Sequence, residues 1–147
     1  MFARYLHQER IAIGTGATDK PTVLSELAAL LAKPDEEHRS AAFRAALLHR
    51  ESLGGTGVGS GVAIPHGKLN EIERSRAAML IAPGGVDFGA IDSKPVTIFV
   101  ALIGPASAPR EHLTALAEVS RRLRSDETRQ RLIEAKTAAD VYAIMSA

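Results

Sequence analysis

Apolar positions recur along this chain at two spacings, and the switches between them mark an alternation of strands and helices. Ile11-Ala12-Ile13 reads as a short strand closed by Gly14 and Gly16. A helix is predicted to begin near Asp19, a good N-cap, with Pro21 tolerated in its first turn. Val23, Leu24, Leu27, Leu30 and Leu31 then follow helical spacing until Pro34 ends the run. A second helix is expected over residues 36–50, with Phe43 and Leu47 on one face. Strands follow at 61–64, 77–82 and 96–103. Pro83-Gly84-Gly85 reads as a turn, Val86-Asp87-Phe88 as a short strand after it, and Gly104-Pro105 as the close of the last strand. From Pro109 the pattern is helical, over 110–124, about 127–135 and about 138–145. The succession predicts an α/β fold, a mixed sheet flanked by helices in an α/β sandwich.

Composition narrows the function classes. A length of 147 residues, with no repeat and no linker, is expected to form one domain over 1–147 with a substantial core. Net charge of +1 singles out neither a nucleic-acid binder nor a polybasic membrane anchor. No apolar run approaches the roughly 18 residues that a membrane-spanning helix needs. Met1 to Arg10 lacks the apolar core of a signal peptide, so a cytoplasmic protein is expected. The absence of cysteine excludes disulfides, thiol catalysis and cysteine-ligated metal.

The chemistry concentrates in Gly54 to Lys68, GGTGVGSGVAIPHGK. Five glycines fall within eight residues, a composition that lets backbone amides turn towards an anion. Pro65 fixes its own φ and biases Ile64 towards an extended conformation, so His66 should be presented in a set orientation. A donor-rich loop beside a held imidazole suits a histidine that handles phosphate. Two other readings of the glycines fail on spacing. In the dinucleotide fingerprint GxGxxG, Val62 stands where a small residue is needed. In the pattern GxxxxGK[ST], Gly67-Lys68 lacks the glycine at position 62, and Leu69 replaces the hydroxyl residue. A zinc site on His66 and His112 lacks an obvious third ligand.

These residues resemble the enzyme IIA domain of the bacterial phosphoenolpyruvate-dependent sugar phosphotransferase system, in its fructose/mannitol/nitrogen-regulatory branch. The resemblance runs over nearly the whole chain. Beyond Gly57 to His66 it takes in Lys20 with Val23-Leu24, Arg50-Glu51, Asp92 with Lys94-Pro95-Val96, and Glu111-His112-Leu113. It implies that His66 is the phosphoryl acceptor, through Nε2, and that His112 sits beside it and positions or stabilises the phosphohistidine. His112 shares a helix face with Leu116, Val119 and Leu123, so it is expected to point inward. Phosphate contacts are expected from the Arg50 guanidinium, the Thr56 hydroxyl and the amides of Gly57, Gly59 and Gly61. Gly55 departs from the family pattern, in which a hydroxyl residue is common. His7, His38 and His49 have no such context.

The resemblance further implies a phosphocarrier that needs no metal or organic cofactor. Its donor would be an HPr-like phosphocarrier protein. Its downstream partner would be a regulatory target protein, as for the nitrogen-regulatory members, or alternatively a separate IIB subunit of a fructose-type sugar transporter. Neither nucleic acid nor membrane insertion is expected. Val58, Val62 and Leu53 are expected to form an exposed apolar surface around His66.

Overall fold

A computed structural model describes residues 2–147. Two short 3-10 turns, Phe2–Tyr5 and Gln8–Arg10, lead into strand β1, Ile11–Ile13. Helix α1, Lys20–Leu31, starts where the Asp19 carboxylate accepts from the Thr22 amide at 3.0 Å. A further 3-10 turn, Glu37–Arg39, precedes α2, Ser40–Ser52. Then come β2, Gly57–Gly59; β3, Val62–Ala63; β4, His66–Leu69; β5, Arg76–Val86; and β6, Val96–Pro105. The chain closes with α3, Pro109–Arg122, α4, Asp126–Glu134, and α5, Ala138–Ser146. Ser125 and Thr137 cap α4 and α5, the second through a reciprocal capping box with Asp140.

The sheet is mixed, in the order β1-β5-β6-β3-β2, with β4 also paired to β6. β5 and β6 run antiparallel through its centre, while β1 lies parallel to β5, and β3 and β4 lie parallel to β6. Side chains of successive strand residues point to opposite faces, and each face buries its own core. On one face Ala78, Leu80, Phe99 and Ala101 meet Leu24, Leu27 and Leu31 of α1 and Phe43 and Leu47 of α2. On the other, Met79, Ile81, Ile98, Val100 and Leu102 meet Ala115 and Val119 of α3, Leu132 of α4 and Val141 of α5. The mixed sheet flanked by helices that the sequence predicts is therefore observed, and its helices lie on both faces.

Four expectations about elements are corrected. Pro83-Gly84-Gly85 does not end a strand: β5 runs through it to Val86 as a wide bulge, from Ile81 opposite Ile98 to Val86 opposite Val96. Gly85 adopts φ 78°, which lets the chain bend there without leaving the sheet. Phe88 lies outside any strand and stacks edge-on to Phe99, ring centroids 5.2 Å apart. Gly104-Pro105 likewise belongs to β6, because β4 supplies a partner as far as Leu69 opposite Pro105. The expected helix over 36–50 starts later, at Ser40, after the 3-10 turn.

Phe99 lies at the middle of β6, fully buried and shared by α1, α2 and Phe88. Phe99→Ala is expected to cost about 3–5 kcal/mol, read as a lowered urea midpoint with an unchanged slope.

Candidate functional site

His66 owes its position to an interruption in a strand. β3 and β4 lie end to end along the same side of β6, Ala63 opposite Phe99 and His66 opposite Leu102. Between them Ile64 donates its amide to the Thr56 carbonyl at 3.0 Å, and the Pro65 carbonyl accepts from the Leu102 amide at 3.0 Å. Proline has no N–H of its own to pair. The Ile64 carbonyl lies 2.8 Å from His66 Nδ1. A carbonyl only accepts, so Nδ1 carries the hydrogen and, in the neutral ring, Nε2 carries the lone pair. Gly67 brings the strand against α2: a Cβ there would stand 2.9 Å from the Ala46 carbonyl oxygen.

His112, in the first turn of α3, is 2% exposed and stands beside His66, with ring centroids 5.6 Å apart and planes tilted by 50°. It points inward, as its helical spacing requires. Its Nδ1 is sealed in without a hydrogen-bond partner. The ring leans on β6 at Gly104, where a Cβ would stand 2.8 Å from that nitrogen.

Arg50, in the last turn of α2, is near enough for its charge to act on the His66 ring. Its Nη1 donates to the Gly54 carbonyl at 2.8 Å, which orders the guanidinium across the turn that follows the helix. Glu51 beside it is buried and takes three donors: Lys20 Nζ at 2.7 Å, the Thr56 amide at 3.1 Å, and the Thr56 hydroxyl. Lys20 also lies over the Phe88 ring, 4.7 Å from its centroid.

This arrangement gives Thr56, Gly57, Gly59 and Gly61, all expected to contact phosphate, other tasks in the fold. The Thr56 hydroxyl gives its hydrogen to Glu51, and the residue is buried, so it braces the segment instead of offering a donor. Gly57, Gly59 and Gly61 belong to a β-hairpin in which β2 pairs antiparallel with β3. The turn runs through Gly59, Ser60 and Gly61 at φ 94°, 58° and 75°, a left-handed succession that explains the glycines. The Gly61 carbonyl accepts from the amides of Thr97 and Ile98. Ile98 and the Leu102 opposite His66 are four residues apart on β6, roughly 13 Å at strand rise. The hairpin tip therefore points away from the imidazole. Gly57 is required for another reason, since a Cβ would overlap Ala90 Cα at 2.8 Å.

Lys68, which the sequence reading did not single out, lies close to both histidines. Two residues beyond His66 on β4, it shares the histidine's face of the strand, and its charge acts on both imidazoles. Strand alternation would have found it had the segment after Pro65 been read as a strand. Gly55 leaves space: a Cβ there would meet nothing nearer than the Gly89 carbonyl at 3.7 Å. The exposed apolar side chains include Leu53, after α2, Val58 on β2 and Leu113 beside His112. Val62, expected among them, is instead buried in the core beneath α3.

Residues 4–147 match the family described as phosphoenolpyruvate-dependent sugar phosphotransferase system, EIIA 2. The chain is 36% identical over 138 residues to a nitrogen regulatory protein of Bradyrhizobium diazoefficiens, covering 94% of this chain and 90% of the relative. It is 35% identical over 101 residues to a fructose-specific EIIA component of Haloferax volcanii, covering 69% and 66%. The crystal structure of the nitrogen regulatory protein IIA-Ntr from Neisseria meningitidis superposes with a TM-score of 0.89 at 30% identity, over 97% of each chain.

Burial pushes both imidazoles below their ordinary value, which keeps them neutral near pH 7. For His66 the Arg50 and Lys68 charges add to that effect, while the Ile64 carbonyl and Glu51 oppose it. His112 is driven to about 4 by burial, with smaller contributions from His66 and Lys68. In the unfolded chain a histidine titrates near ~6.5. Between those values the unfolded state binds more protons, so stability present above about pH 6.5 is lost as pH falls towards 4. His112→Gln removes that titration, so its urea midpoint should fall less between neutral pH and about pH 4.5 than the wild type's. Equal losses would mean that His112 carries none of the acid sensitivity.

Proposed function

The chain belongs to the EIIA 2 family of the phosphoenolpyruvate-dependent sugar phosphotransferase system, and from that premise we propose that it carries a phosphoryl group on His66 Nε2 and reports it to a regulatory target in the cytoplasm. The observation that carries this reading is the hydrogen bond from His66 Nδ1 to the Ile64 carbonyl. It fixes the ring, leaves the Nε2 lone pair free, and does so beside a second neutral imidazole with two cationic side chains close by.

The transfer follows from that geometry. The donor is a phosphohistidine on an HPr-like phosphocarrier protein. His66 Nε2 attacks phosphorus, an N–P bond forms, and the donor's P–N bond breaks with its electron pair returning to the donor imidazole. His66 keeps its Nδ1 hydrogen on Ile64 throughout, so no proton has to leave the acceptor. Phosphoryl transfer depends on positioning and charge stabilisation. Arg50 and Lys68 supply positive charge, and His112 a ring nitrogen for the phosphoryl oxygens. Thr56, Glu51 and Lys20 hold the turn from which Arg50 acts.

Reporting depends on the rim. Leu53, Val58 and Leu113 are exposed apolar side chains that suit a protein partner. Phosphorylation adds roughly −1.5 to −2 of charge, and burying that charge beneath an apolar interface costs desolvation. The unphosphorylated form should therefore bind the target more tightly. The same surface admits the donor, so transfer and regulatory binding exclude each other. The nitrogen regulatory relatives favour this role. The 35% identity to a fructose-specific EIIA component supports a second one, in which the group passes to a separate IIB subunit.

The domain incubated with phosphoenolpyruvate, enzyme I and a phosphocarrier protein should gain one acid-labile phosphoryl group by intact mass. His66→Ala should gain none, and His112→Ala should be slowed by roughly 10²-fold. Phosphate on His66→Ala, or none on the wild type, would overturn the acceptor role. Onward transfer to a fructose-type IIB subunit would favour the second reading.

A further inference from the structure

Two of the buried polar atoms that lack a partner converge on one spot. Ser75 Oγ and His112 Nδ1 are both sealed from solvent without a hydrogen bond, and their residues are 7% and 2% exposed. A Cβ built on Gly104 would lie 3.2 Å from the hydroxyl oxygen and 2.8 Å from the ring nitrogen. The two atoms therefore crowd the same bare patch of β6 and stand at most 6.0 Å apart (3.2 + 2.8). Leaving a buried polar group unpaired is unfavourable, because its hydrogen bonds to water are lost without replacement. The two are not hydrogen-bonded as they stand, but a turn of the Ser75 side chain about χ1 moves its oxygen, and that hydroxyl can donate its hydrogen or accept. Another such atom, Arg76 Nη1, has a different setting: that guanidinium and Arg10 both donate to the Lys33 carbonyl beyond the end of α1.

We infer that Ser75 is a positioning residue whose hydroxyl turns to donate to His112 Nδ1 and so holds that ring in the tautomer with its hydrogen on Nε2. The inference rests on the reading of His66 as phosphoryl acceptor for its purpose, but not for its geometry. With Nδ1 accepting from Ser75, His112 Nε2–H is a donor, ready for a phosphoryl oxygen carried by the neighbouring ring. Without that partner the two tautomers of a neutral imidazole compete, and one of them turns a lone pair towards the incoming anion. A phosphoryl dianion beside the ring favours uptake of a proton from solvent by His112, and Nδ1 then becomes a donor. The same hydroxyl can then reverse and accept. Gly104 is part of the device, because any Cβ there would force apart the ring and the hydroxyl.

Histidine ring ¹⁵N spectra of the unphosphorylated domain near neutral pH test this directly. In the wild type His112 Nδ1 should be of the pyridine type and Nε2 of the protonated, pyrrole type. Ser75→Ala should give a mixture of tautomers or the opposite one, with the backbone amide spectrum otherwise preserved. Ser75→Thr, which keeps the hydroxyl, should restore the wild-type pattern. The rate of phosphorylation by the phosphocarrier should fall roughly five- to tenfold in Ser75→Ala, the worth of one hydrogen bond, and recover in Ser75→Thr. A hydrogen on His112 Nδ1 in the wild type would overturn the inference even if Ser75→Ala does not fold. So would an unchanged His112 tautomer in a folded Ser75→Ala domain. A wild type that shows the expected tautomer but takes up no phosphate would sink the acceptor role of His66 while leaving the Ser75–His112 pairing intact.

Discussion

Where β3 gives way to β4 along β6, Pro65 has no N–H to donate, its carbonyl still accepts from Leu102, and the Ile64 carbonyl meets the ring of His66. That one side-chain hydrogen bond joins the sheet to the chemistry. It sets which nitrogen of His66 is nucleophilic and aims the ring out of the strand gap. Were the run from Val62 to Leu69 paired without interruption, the Ile64 carbonyl would be taken up by the ladder. The histidine would then be an ordinary strand residue with a free tautomer.

Everything else at the site is brought to that ring by close packing. α2 lies against β4 because Gly67 has no Cβ to meet the Ala46 carbonyl, and this delivers Arg50. α3 delivers His112, whose ring rests where Gly104 leaves the face of β6 bare. The buried Glu51, with Lys20 and Thr56 as its donors, ties α1, α2 and the segment before the hairpin into one unit. A buried carboxylate is tolerated here because it is paired and its remaining oxygen capacity is used. The two imidazoles are neutral for a related reason, since burial disfavours their charged forms. The proposed acceptor role needs that state in the nucleophile, with Arg50 and Lys68 as the positive charge a phosphoryl group would meet.

Much of the fold was legible in the residues. Asp19 before Pro21 and the Leu24, Leu27, Leu31 spacing marked α1, and the inward face of α3 placed His112 correctly. What misled was glycine. Gly57, Gly59 and Gly61 suggested a nest of donors around phosphate, whereas Gly59 and Gly61 make a tight hairpin turn and Gly57 a close contact with Ala90. Local conformational freedom is the same in both cases, and only the partner distinguishes them. Gly84-Gly85 misled likewise: a bulge and a turn share one local signature, and the ladder to β6 decides between them. Thr56 looked like a phosphate donor until Glu51 was seen to hold its hydrogen.

By itself the sequence determined the α/β sandwich, the family resemblance and the candidate pair His66 and His112. Hydrophobic period and the Pro-His-Gly segment are local properties that need no partner to be read. Only the tertiary structure decided the tautomer of His66, the place of Lys68 and the meeting of Ser75 with His112 across Gly104. Each of these depends on register between strands and on the absence of a Cβ opposite a particular side chain. Such contacts join residues far apart in the chain, and no spacing along it encodes the distance between them.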